Sequence, residues 1–146
     1  LYAAFNILTG EVMGRTTKRH RSQEFLAFLR QIDRATPANL DLHLILDNSS
    51  THKTPEVRKW LEGRTRFKLH FTPTSASWLN AVESWFSSLE RRSIHRGVFT
   101  SVQELRDEIH RFIREHNAHS AKPFSWTKTA ETILASVERA KQSPRD

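Results

Sequence analysis

The stretch Leu40-Asp41-Leu42-His43-Leu44-Ile45-Leu46-Asp47-Asn48 alternates apolar with polar residues and turns wholly apolar just before its second acid. Alternation of period two marks a strand with one covered face, and a continuous apolar run marks deeper burial. Residues 40–47 are therefore expected to form a strand that is increasingly buried towards its end, with Asp47 where it stops. Thr54-Pro55 then opens a short helix to about Leu61. Phe67, Leu69 and Phe71 alternate with Lys68 and His70 as a further strand, closed by Pro73.

Upstream, residues 2–8 are apolar-rich around Tyr2, Phe5, Ile7 and Leu8; Thr9-Gly10 offers a turn, and Val12 and Met13 resume an extended pattern, which predicts a hairpin. Ser22 is placed to cap a helix whose apolar positions Phe25, Leu26, Leu29 and Ile32 share one face and which ends before Pro37. Downstream, Thr72 to Ser77 reads as a polar loop, and from Leu79 the residues Val82, Trp85, Phe86 and Leu89 recur at helical spacing. Ser101 and Glu104 form a capping-box pattern ahead of an amphipathic helix running to about Asn117. A last helix, about 128–141, sets Ile133, Leu134 and Val137 on one side. This order of strands and helices predicts an α/β domain rather than a bundle or a sandwich.

The 146 residues fit one domain with one core, and the net charge of +7 favours a polyanionic partner such as nucleic acid. Without cysteine, disulfide scaffolds, thiol catalysis and cysteine-based zinc sites are excluded, and a reducing cytoplasm is the expected compartment. No apolar run approaches the roughly 20 residues of a membrane span.

Open α/β sheets bind ligands beyond the carboxyl ends of their strands, which is where Asp47 falls. Capping of the following turn is an equally good reading of Asp47 taken alone. Glu83 and Asn80, three positions apart, share the polar face of the helix near Leu79. Two carboxylates brought together repel unless a cation lies between them, and hard oxygen ligands suit Mg²⁺ or Mn²⁺. Two such ions can activate an attacking oxygen and stabilise a leaving one in phosphodiester chemistry. Against this, most helix glutamates are simply solvated. Basic residues cluster at Arg15, Lys18, Arg19 and Arg21, at Arg58, Lys59, Arg64, Arg66 and Lys68, and at Arg91, Arg92 and Arg96; the last group follows the same helix and is expected to hold a DNA backbone, with surface solvation as the bland alternative for each. Trp78, in the loop before Asn80, is the tryptophan placed to touch DNA; Trp85 reads as core, and Trp60 and Trp126 as packing anchors. His52, five residues beyond Asp47, is expected to contact DNA or the metal surroundings.

The segments Leu46-Asp47-Asn48 with His52, then Phe71-Thr72-Pro73 and Ser77-Trp78-Leu79-Asn80-Ala81-Val82-Glu83-Ser84-Trp85-Phe86, resemble the DDE-type transposases of bacterial insertion sequences related to the mariner group. The resemblance runs over essentially the whole chain, from the Phe5-Asn6 to Gly14 hairpin to the Asn117 to Trp126 tail. It implies a ribonuclease H-like mixed sheet with flanking helices. It also implies an Asp, Asp, Glu site with two Mg²⁺ or Mn²⁺ ions that cuts transposon ends and joins them to target DNA. Residue by residue, it implies Asp47 as the second acid and Glu83 as the third, with Asn48 and Asn80 orienting the metal surroundings. The family's first Asp lies on a central strand ahead of the hairpin, and its DNA reader is an N-terminal helix-turn-helix. Residues 1–146 are thus expected to be a partial catalytic domain lacking both, inactive alone and part of something longer, such as a product of frameshifting. The expected setting is the bacterial cytoplasm at the nucleoid, with DNA as partner and a homodimer, or association with full-length transposase, beside it. The rival readings are a non-catalytic DNA-binding or regulatory remnant, and another ribonuclease H-like nuclease.

Overall fold

The computed structural model describes residues 1–72 and 80–123, with positions 131, 135 and 138. Trp78 and Trp126 lie outside the described residues, as do Pro73 and most of the expected last helix. The chain is mixed α/β, with two small sheets and four α-helices among the described elements.

Strands β1 (Tyr2–Phe5) and β2 (Val12–Arg15) form the expected antiparallel hairpin, Tyr2 opposite Arg15 and Phe5 opposite Val12. Strand β1 is shorter than its apolar run. The chain turns from Asn6, whose carbonyl accepts from Gly10 N–H at 2.7 Å, and Leu8 is left 78% exposed in the turn. Gly10 has φ +78° and lies against the backbone of Lys122, so a side chain there meets both strain and a clash.

Helix α1 (Ser22–Ala35) buries Phe25, Leu26, Phe28, Leu29 and Ile32, the face its spacing predicts. Its start differs from the expected Ser22 cap. Ser22 is already helical, and the Glu24 carboxylate instead reaches back to accept from Arg21 N–H at 3.1 Å and from the Arg21 guanidinium at 2.9 Å. Strand β3 (Leu42–Asp47), helix α2 (Pro55–Glu62) and strand β4 (Phe67–Thr72) follow, and β3 and β4 pair in parallel. Helix α3 (Asn80–Leu89) continues into a π-helical turn, Glu90–Ile94, and helix α4 (Val102–Glu115) ends in another, His116–Ser120.

Among the described residues the strands form two separate pairs, β1-β2 and β3-β4, with no hydrogen-bonded ladder joining them. They are held by packing. One apolar cluster gathers α1, Val57 and Trp60 of α2, and Phe67, and receives Tyr2, Ala4 and Met13 from the hairpin and Leu42, Leu44 and Leu46 from β3. A second gathers Val12, Trp85, Leu89, Ile109 and Ile113, and receives Leu1, Ala3 and Phe5 from the opposite face of β1.

Two polar anchors fix these layers. Arg66 donates to Asp33 Oδ1 (2.7 Å), to the Asp33 (2.9 Å) and Pro37 (2.8 Å) carbonyls and to Thr36 Oγ1 (3.0 Å), satisfying acceptors around the end of α1. Arg64 reaches the same carboxylate at 3.3 Å, and Arg66 chiefly, with Arg64, holds Asp33 below the usual aspartate range. Arg64 and Arg66 are thus engaged structurally, a correction to their place in the expected basic surface. On the hairpin, Asn117 Oδ1 accepts from Val12 N–H (2.7 Å) and its Nδ2 donates to the Val12 carbonyl (2.9 Å), so one side chain acts as an extra strand residue. His116 Nε2 donates to the Gly10 carbonyl at 2.7 Å.

At the start of α4 Ser101 is the N-cap, as the capping-box pattern predicts, and Glu104 reaches back to the main chain of both Thr100 and Ser101. Ser101 Oγ accepts from Glu104 N–H (3.1 Å), while Glu104 accepts from Thr100 N–H (2.7 Å). Farther along, Glu108 is held down to about 2 from an ordinary 4.5, chiefly by hydrogen bonding from Arg111, with the Ser93 hydroxyl adding to it.

Arg66→Ala is expected to lower the free energy of unfolding by about 2 kcal/mol in urea titration, since it removes charge-assisted bonds and strands acceptors at the α1 terminus; Arg66→Lys, lacking the planar fork, recovers little of it. Because the folded value for Glu108 lies below the unfolded one, its stabilisation is present above about pH 4.5 and lost as pH falls towards about 2. Glu108→Gln should flatten part of the acid limb of a stability-against-pH curve and leave the neutral limb's slope unchanged.

Candidate active site

Strands β3 and β4 run parallel in a register that sets Leu42 opposite Phe67 and Asp47 opposite Thr72, so both carboxyl ends meet at one rim. Asp47 is the last residue of β3 and sits on that rim. The expected progressive burial of this strand is not what is found. Leu42, Leu44 and Leu46 face α1 and α2, while His43, Ile45 and Asp47 point outward, leaving the Asp47 side chain 51% exposed. One covered face imposes alternation, so the carboxylate carries little of the desolvation cost that a buried acid would.

The chain after β3 turns back over this rim. A 3₁₀ turn at Ser50–Lys53 is closed by His52 N–H donating to the Ser49 carbonyl at 3.1 Å. His52 Nδ1 stands 3.3 Å from Asp47 Oδ1 and 3.3 Å from the Asp47 main-chain carbonyl oxygen. The ring rests on Phe25 of α1, centroids 4.3 Å apart. Lys53 contacts Asn48 Oδ1 and holds its ammonium over the Phe71 ring, 4.6 Å from the centroid. Thus Asp47, Asn48, His52 and Lys53 form one polar group at the strand ends. Lys53 is the member the sequence reading missed; its signal was its position five residues beyond Asn48, the same interval that separates His52 from Asp47.

Glu83 lies in the first turn of α3 and is exposed, with no hydrogen bond or ion pair to another described residue. Its helix is fixed from the opposite face by buried Trp85 and Leu89, which pack with Val12, Ile109 and Ile113. Trp85 meets Phe86, Phe112 and His116 edge to face, at 5.3, 5.9 and 6.2 Å. Asn80 begins the same helix. The structure therefore gives Asp47 and Glu83 separate supports: β3 leans on the α1 cluster, and α3 on the cluster across β1. Arg91, Arg92 and Arg96 are all exposed, the first two on the π-helical turn that prolongs α3. That turn buries Ser93 while directing Arg91 and Arg92 outward.

The donor chemistry suits a hard divalent cation to the extent of two accessible carboxylates, Asp47 and Glu83. No cluster of three or more His, Asp or Glu side chains able to hold a metal occurs among the described residues. Nor is any described helix long and apolar enough to cross a membrane.

Comparison with known proteins gives the family of this α/β chain. The DDE superfamily endonuclease family matches residues 1–106, a span that contains both acids, and the chain belongs to that family. It is also similar to the uncharacterized 39 kDa protein of insertion element IS630 from Shigella sonnei, with 24% identity over 113 residues, 77% of this chain. The chain spans about a third of that relative's length, the matched part being 33% of it. These matches agree with the insertion-sequence transposase type expected from the motifs.

Trp85→Ala is expected to destabilise the chain by about 3–5 kcal/mol, the usual cost of emptying a buried aromatic site. Hydrogen exchange should rise across residues 80–94 and stay near wild type in β3 and β4, which would show that Glu83 and Asp47 are held by separable packing.

Proposed function

We propose that this chain is part of the catalytic domain of an insertion-sequence transposase, and that Asp47 and Glu83 are two of the acids that hold its divalent cations. The observation that carries this is the family match across residues 1–106, taken with Asp47 on the shared rim of two parallel strands. Mg²⁺ or Mn²⁺, two ions in the complete site, would supply activation of the attacking oxygen and stabilisation of the leaving one. The chain's own residues provide two carboxylate ligands, with Asn48 and Asn80 beside them in sequence or on the same helix. Arg91, Arg92 and Arg96, with His52 and Trp78, serve the DNA, and Lys53 adds a cation at the rim. In the parent protein the products are cleaved transposon ends and their joints with target DNA.

The same reading extends to the fold. Two sheets lean on one helix without pairing, and a strand between β1 and β3 would join them in the order of a ribonuclease H-like sheet. On this reading residues 1–146 form a partial catalytic domain, and the first of the three acids belongs to that strand. DNA is the partner, a second transposase copy the natural associate, and the bacterial cytoplasm at the nucleoid the setting. The absence of a three-residue metal cluster among the described residues favours, as a second reading, a DNA-binding remnant that does not cut.

The two readings separate in one experiment. With the parent's upstream strand restored, Mn²⁺-dependent cleavage of insertion-sequence ends should appear. Asp47→Asn or Glu83→Gln should reduce it by more than the roughly 10–100-fold that loss of an outer partner costs. DNA binding should persist and weaken steeply between about 50 and 200 mM salt. Cleavage retained in either variant removes the site assignment; binding without cleavage in the restored protein supports the remnant.

A further inference from the structure

We propose that His52 is the positioning residue of Asp47. Its Nδ1 faces two oxygen acceptors at once, the Asp47 carboxylate Oδ1 and the Asp47 carbonyl, each at 3.3 Å. Two oxygen acceptors facing one ring nitrogen require a hydrogen on that nitrogen. The ring is not free to drift from this place. Its side chain is 15% exposed although it belongs to a loop, because it lies against Phe25, itself 5% exposed in the α1 cluster. The 3₁₀ turn fixes the backbone from behind, with Ser49 Oγ and Thr51 Oγ1 3.0 Å apart and α2 starting at Pro55.

Asp47 needs such a partner. Its side chain is half exposed, and no other described side chain bonds to its carboxylate. Held only by its own backbone, an exposed aspartate samples several rotamers. With its Nδ1 hydrogen-bonded to the Asp47 carbonyl, the His52 ring stands 3.3 Å from Oδ1, a contact that selects one of them and leaves Oδ2 without a described partner. Rigidity therefore passes from the core through Phe25 to an imidazole, and from the imidazole to the acid. The consequence for cation binding rests on Asp47 being a metal ligand as proposed above; the orientation itself does not.

The test uses the 146-residue chain in solution. Long-range ¹H–¹⁵N correlations of His52 should place the hydrogen on Nδ1, and three-bond couplings of Asp47 should report one χ1 rotamer. His52→Phe keeps the ring on Phe25 and removes the donor, so the Asp47 couplings should average. His52→Asn, which sets an amide N–H near the place of Nδ1, should restore a single rotamer. A bare Nδ1, averaging in the wild type, or a single rotamer in His52→Phe overturns the inference. Mn²⁺ then serves as the probe: the concentration that half-broadens Asp47 signals should rise about 10- to 100-fold in His52→Phe. An unchanged midpoint overturns positioning while keeping Asp47 as a ligand. If Mn²⁺ broadens nothing at Asp47 in the wild type, the ligand assignment fails, and the couplings alone decide whether His52 orients the acid.

Discussion

Strand β1 is the partition on which the rest of the structure depends. Its four residues are only partly buried, yet they send side chains in both directions. Tyr2 and Ala4 join the cluster built on α1, whereas Ala3 and Phe5 join the one built on Trp85 and Leu89. Period-two alternation makes this possible with so few residues, because successive side chains leave opposite faces of a strand. Neither cluster is closed without β1, and each carries one of the two candidate acids. Among the described residues, the supports of Asp47 and Glu83 are connected through this short strand.

Polar anchoring compensates for the small extent of backbone pairing. Two-stranded sheets are marginal by themselves and need packing against helices. Here each pair has a helical cover and a side chain that does the work of further backbone. Asn117 imitates a strand residue along β2, and Arg66 satisfies carbonyls beyond the end of α1. Both bonds join segments far apart in the chain. They explain why two sheets without a common ladder occupy defined places, and why the strand ends beneath the Ser50–Lys53 turn form a fixed rim.

Much of this was legible locally. The hairpin, the apolar face of α1, the strands before Asp47 and around Leu69, and the packing face of α3 all follow from periodicity, since burial on one side repeats at the pitch of the element. The capping of α4 by Ser101 with Glu104 was legible as well. The reading of β3 went wrong in one instructive respect. Leu44-Ile45-Leu46 looked like a strand covered on both sides, yet Ile45 is 37% exposed, since composition does not say how many layers will cover a strand. Arg64 and Arg66 looked like surface cations available to a polyanion; their engagement with Asp33 could not be foreseen, because the partner lies on a different element.

From the amino-acid sequence alone came the α/β class, the two acids and the kinship with DDE endonucleases, because each is written in local spacing or in contiguous motifs. The tertiary structure decided how the two strand pairs are packed on the helices, that Asp47 is half exposed on a rim, and that His52 and Lys53 fold back upon its neighbourhood. Those outcomes depend on which faces meet and which side chains find one another across α1, β3 and the turn above them. Contacts between distant segments are a property of the packed chain, and no single stretch of residues encodes them.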